Sequence, residues 1–151
     1  MKPISRKMIK KYFYDTLCKE SVTVEICKSH HLHADKAQML RDYLPDLFID
    51  NVIKGYNGEA AGFTIGVTQV HIAQWMLADA SEAKGVVRHE IAHLVQHYEH
   101  SDCRPHGKEF TKALKVVSPT NWRNDWYWHD SWTLWEARKE CESNPNKIYL
   151  T

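Results

Sequence analysis

Apolar positions recur at helical spacing at the head of the chain. Ile4, Met8, Ile9, Tyr12, Phe13 and Leu17 share one face of residues 4–19, with Arg6, Lys7, Lys10 and Lys11 between them. The pattern predicts an amphipathic helix with a basic outer face. The period then changes. Val22 to Cys27 alternates and is rich in β-branched residues, which predicts a strand. Residues 35–44 suit a short helix, with Asp35 near its start and Pro45 past its end. The apolar segments 48–56 and 59–67 flank Asn57-Gly58, a pair that tolerates positive φ, and predict an antiparallel hairpin. Gly62 and Gly66 make its second arm irregular. Val70 to Ala73 reads as a further short strand. Val86, Val87, Ile91, Ala92, Leu94 and Val95 then supply apolar positions for a central helix from about Glu82 to His97 or Tyr98. Past a polar connector with a stop at Pro105, Phe110, Ala113, Leu114 and Val117 predict another helix over residues 107–117. Residues 132–142 suit a helix, or a strand followed by one, and residues 147–151 a final strand or a tail.

The central helix carries the chemistry. His89-Glu90-Ile91-Ala92-His93 puts two imidazoles four residues apart, on one helical face about one turn from each other. Both can reach one ion, and they make two of the three protein ligands that a catalytic zinc takes. Glu90, next to the first of them, is placed to act as general base toward a water activated there. This is the HExxH arrangement of zinc metallopeptidases.

Composition changes this picture little. The chain has 151 residues, enough for one domain with one core, and its 43% hydrophobic and 26% charged residues are those of an ordinary soluble protein. A net charge of +1 neither demands nor excludes nucleic acid. Lys10, Lys11, Asp15, Lys19 and Glu20 break every apolar run near the N-terminus, so neither a secretory signal nor a transmembrane span is expected. Cys18, Cys27, Cys103 and Cys141 form no CxxC pair and read as reduced thiols of a cytoplasmic protein. His30, His31 and His33 cluster in a loop and read as surface residues. The aromatic stretch Trp122, Trp126, Tyr127, Trp128, Trp132 and Trp135, with Asn121, Arg123 and Asn124 among them, can stack on unpaired bases. It can equally cap a small core over about residues 120–140 and shape a substrate groove.

The third ligand has competing candidates. The metzincin pattern would need a His at Glu99 and a Gly at Gln96, and so fails twice. Glu136 and Glu140 are available as carboxylate ligands, and Cys103 as a thiolate, but none has a motif around it. His106-Gly107-Lys108-Glu109-Phe110 has better context. The succession His89-Glu90-x-x-His93, a short insertion, then His106-Gly107-x-x-Phe110 resembles the SprT-like (Spartan-type) metallopeptidase family. The likeness is specific over residues 85–114, loose over 4–80 and without correspondence beyond about 118. It implies an α+β, zincin-like minimal metalloprotease domain over residues 1–151, with a small, mostly antiparallel sheet packed on the HExxH helix. It implies zinc held by His89, His93 and His106, with Glu90 as catalytic base. In such folds an edge strand beside the active-site helix binds substrate by β-augmentation, and residues 69–73 are the candidate.

The implied function is a zinc-dependent endopeptidase acting on protein or peptide substrates, with DNA-associated proteins as one substrate class. The chain lacks the paired-Cys zinc ribbon of many relatives, which weakens the link to DNA. Tyr98, Arg104 and His71 are candidate oxyanion or substrate contacts, and Glu109 or Asp102 candidate acceptors behind the ligand imidazoles. The alternative is a non-catalytic nucleic-acid- or protein-binding module on a zincin scaffold with structural zinc. It would have no use for Glu90.

Overall fold

A computed structural model describes residues 2–29, 45–51, 53–55, 58–66, 68–96 and 105–144. The His30, His31 and His33 cluster, the helix expected over 35–44, Asn57 of the hairpin turn and the tail over 147–151 lie outside them.

The first helix, α1 (Arg6–Leu17), forms where the spacing predicts it. The Ser5 hydroxyl accepts from Met8 N–H at 3.2 Å and caps its N-terminus. Ile9, Phe13 and Leu17 are fully buried on one stripe, each side chain contributing about 2 kcal/mol. The strand expected at Val22–Cys27 is instead part of a second helix, α2 (Glu20–Ser29). Val22, Val24 and Ile26 do satisfy a strand period, but Val24 is exposed. The buried residues are Val22, Thr23, Ile26 and Cys27, two pairs at helical spacing. Packing against α1 and the central helix overrides the β-branched preference. The Ser29 hydroxyl donates to Val95 O at 2.6 Å and fastens the end of α2 to the end of that helix.

Five strands follow: β1 (Asp46–Asp50), β2 (Ile53–Gly55), β3 (Gly58–Ala60), β4 (Gly62–Ile65) and β5 (Gln69–Ala73). The expected hairpin exists, but only as the short ribbon β2–β3. Its outer arms do not pair with each other. Instead β5 inserts between them, giving a three-stranded sheet of order β1-β5-β4. β1 is parallel to β5 and β4 antiparallel to it, so this sheet is mixed rather than mostly antiparallel. Residues 69–73 therefore form the middle strand, not an edge. Among the described residues, the outer strand beside the central helix is β4. Gly66, at φ 56°, makes the turn toward β5.

A 3-10 turn at Gln74–Ala78 leads into the central helix α3 (Ala80–Val95). Asp79 caps α3 by accepting from Ser81 N–H at 3.1 Å and Glu82 N–H at 3.3 Å. The helix begins two residues earlier than expected and ends two or three earlier, where Gln96 takes a non-helical ψ of 128°. α3 touches α1, α2, β4, β5, the 3-10 turn before it and, further on, α4 (Lys108–Val117) and a 3-10 turn at Asn124–Trp126. It is the axis of the core. The last element, α5 (Trp132–Ser143), is a helix outright, capped by the Ser131 hydroxyl and packed on the turn at 74–78 through Leu134, Ala137 and Cys141. The fold is thus α+β, with five helices among the described residues. No described helix is long and apolar enough to cross a membrane.

Candidate metal centre

His89 and His93 stand on the face of α3 that looks toward α4 and the turn at 124–126. His106 enters from the residue before Gly107, which is the N-cap of α4. One atom from each of the three imidazoles lies within 4.8 Å of the others, and among the described residues they form the one such cluster. The Nε2 atoms of His89 and His106 are 3.2 Å apart. Nitrogens about 2.0–2.1 Å from a zinc at tetrahedral angles would stand about 3.3 Å apart. Phe110, fully buried one turn into α4, is the common floor. Its ring centre lies 4.8 Å from that of His89, 4.5 Å from that of His93 and 5.0 Å from that of His106. That explains the spacing His106-Gly107-x-x-Phe110: a ligand before the cap, and its packing partner one turn in.

The ligand rings are oriented from behind. His89 Nδ1–H donates to the main-chain carbonyl of Asp125 at 2.8 Å, and His93 Nδ1–H to Gln96 Oε1 at 3.1 Å. With Nδ1 occupied, each ring turns the Nε2 lone pair toward the cluster. Burial pushes the His89 imidazole down to about 4 and the His93 imidazole to about 3, and it lowers His106 too. All three are therefore neutral at pH 7, the form that binds a metal. Donor type, tautomer and spacing fit a divalent ion with a preference for nitrogen, zinc among them.

Of the two expected partners behind the imidazoles, Glu109 is engaged elsewhere. Glu109 pairs with Lys112 on α4, and Asp102 lies outside the described residues. Asp125 takes that place through its main chain. Its buried carboxylate is gripped by Arg88, Nε to Oδ2 at 2.5 Å and NH2 to Oδ1 at 2.8 Å, and by the Ser118 hydroxyl at 2.6 Å. Burial works against the Arg88 charge, but the hydrogen bonds it donates to Asp125 and Tyr12, with the charge interactions that accompany them, outweigh it and raise its pKa. Gly85 allows this approach: a Cβ there would stand 3.1 Å from Asp125 Oδ1. The sequence gives no sign of a role exercised by a carbonyl. Gln96, three residues past His93 on a helix end, was legible in principle.

Glu90 reaches β4 and lines the same cleft as the three imidazoles. It is buried, and burial pushes its carboxyl up to about 7 although the Thr64 hydroxyl bond pulls it down. Thr64 Oγ1 stands 2.7 Å from Glu90 Oε2. Between β4 and the turn at 124–128 opens a cleft of about 810 Å³, with Thr64 and Glu90 on one side and Trp126, Tyr127 and Trp128 on the other. His71 is not part of it. Its ring lies between Phe48 and Phe63 on the outer face of the sheet, and its two nitrogens are bonded to Asp50 and Gln69. Glu136 lies on α5, as does Glu140, apart from the cluster. Tyr98, Arg104, Cys103 and Glu99 lie outside the described residues.

The aromatic stretch divides. Trp126 packs on Phe110 at 5.2 Å, and Trp128 on buried Trp75, with the Arg138 guanidinium over both rings. Trp132 and Trp135 instead stack on each other at 5.0 Å and face solvent.

The family model for the SprT-like family matches residues 5–126, which include every element from α1 to the second 3-10 turn. No curated protein and no solved structure matches the chain.

Proposed function

The chain belongs to the SprT-like family, and from that premise we propose that it is a zinc-dependent endopeptidase. The observation that carries the reading is the convergence of three neutral imidazoles with a buried carboxyl beside them. Zinc, when bound, would supply Lewis acidity to polarise a peptide carbonyl and make water a better nucleophile. His89, His93 and His106 would hold it. Glu90, near neutral in its proton affinity, suits a base that takes a proton from water and passes it to the leaving amine.

The substrate path follows from β4. Ala73 N–H donates to Ala61 O at 2.9 Å, so the antiparallel ladder directs Ala61 and Phe63 toward β5. The main-chain groups of Gly62 and Thr64 then face the open side, beside the cleft. An extended peptide adding there would run past Glu90, which moves the β-augmentation expected of β5 to β4. We read residues 1–151 as one such domain and place it in the cytoplasm, a reading supported by four cysteines that form no CxxC pair.

The competing reading, a non-catalytic nucleic-acid- or protein-binding module with structural zinc, has the exposed Trp132–Trp135 pair in its favour. The same pair is the surface feature that supports DNA-associated substrates. One set of measurements separates the readings. Protein purified without added metal should carry about one zinc per chain, lost in His106→Ala. An unstructured protein substrate should be cut by the wild type and cut at least about a hundredfold more slowly by Glu90→Gln, whose zinc is retained. Cleavage by Glu90→Gln at the wild-type rate would refute the mechanism. Its absence in every variant, with and without single-stranded DNA, would favour the binding module.

A further inference from the structure

Thr64 and Glu90 meet twice. The Thr64 hydroxyl oxygen lies 2.7 Å from the Glu90 carboxylate and 3.0 Å from the main-chain carbonyl of the same residue. A side chain held to its own backbone through one neighbouring atom has its rotamer fixed. The contact exists because β4 lies unusually close to α3. Two residues upstream and on the same face of the strand, Gly62 has no side chain. A Cβ there would stand 2.7 Å from His71 O, 3.0 Å from Val86 Cγ1 and 3.2 Å from Glu90 Cγ.

We infer that Thr64 is a positioning residue for Glu90, its hydroxyl holding the carboxylate in the rotamer in which it lines the cleft. The inference rests on the hydrolytic reading of the site. A hydroxyl has one hydrogen and two lone pairs. Facing an ionised carboxylate, it donates that hydrogen to Oε2. The main-chain groups of Thr64 face the open side of the sheet, so a peptide adding to β4 docks on the residue that aims the base.

The test compares zinc-loaded wild type, Thr64→Val, which keeps the shape and removes the hydroxyl, and Thr64→Ser, which keeps the hydroxyl. Metal content, kcat and KM on the unstructured substrate, and a crystal structure are obtained for each. We expect Thr64→Val to keep its zinc and KM while kcat falls about ten- to a hundredfold, its Glu90 carboxylate to leave the observed rotamer, and Thr64→Ser to restore both. An unchanged kcat in Thr64→Val overturns the inference. So does an equal loss in Thr64→Ser, which would make the methyl group responsible. If the wild type itself cuts nothing, the peptidase reading fails on its own account, and the crystal structures decide: a Glu90 side chain unmoved in Thr64→Val overturns the positioning role, and a displaced one upholds it.

Discussion

The two walls of the cleft hold different parts of the chemistry. The wall at residues 124–128 holds the proposed ligand His89: Asp125 aims its ring through a carbonyl, and a buried ion pair with Arg88 anchors that carbonyl. The β4 wall holds the proposed base: Thr64 grips Glu90, and Gly62 brings the strand in. His89 and Glu90 are neighbours in sequence, yet a helix turns consecutive side chains by about 100°, and the fold answers each with a different element. The imidazole cluster and the Glu90 carboxyl are therefore supported by separable contacts.

The largest expected effect tests the ligand wall. Asp125→Ala leaves the buried Arg88 charge without its bidentate partner and should cost about 3–5 kcal/mol of stability. Zinc affinity should fall about ten- to a hundredfold, because the His89 ring loses its fixed carbonyl. Equilibrium unfolding and competition with a chelator measure both. Zinc affinity equal to that of the wild type would end the assignment of this wall to the ligand.

The next effect belongs to the β4 wall and appears in metal-free protein. The Glu90 carboxyl is raised from 4.5 to about 7 by burial. A group raised on folding contributes its stability fully below its unfolded pKa and loses it as pH rises through the folded one. Glu90→Gln removes that loss. The stability of the variant relative to wild type should therefore grow by about 3 kcal/mol between pH 4.5 and pH 7. The lowered His89 and His93 act alike in both proteins and cancel. A difference that stays flat over this range would mean that β4 does not bury the base. The smallest effect sharpens the contrast from within α3: Gln96→Ala frees the His93 ring and should weaken zinc about tenfold, with Glu90-dependent chemistry unchanged once metal is saturating.

Helices with one strong stripe were legible in the sequence, and so was the imidazole cluster. α1, α3 and α4 announce themselves by spacing, and His89, His93 and His106 by motif. α2 was not, because Val22 to Cys27 fits both periods and only its neighbours choose between them. Strand order was not legible either. Asn57-Gly58 correctly marks a hairpin, but nothing local says that β5 returns to lie between β1 and β4, parallel to one and antiparallel to the other. The partners behind the ligands escaped for a different reason: Asp125 acts through a backbone atom that every residue possesses.

Trp126 gives the cleft an optical reporter of its own. Its indole centre lies 5.2 Å from the Phe110 ring and 6.4 Å from that of His106, the imidazole that reaches the cluster from outside α3. An indole so placed emits in a field set by the charge on that imidazole. Loading the cluster or filling the cleft should therefore change the intrinsic fluorescence of the untagged protein, and the difference from Trp126→Phe isolates the signal from the other indoles.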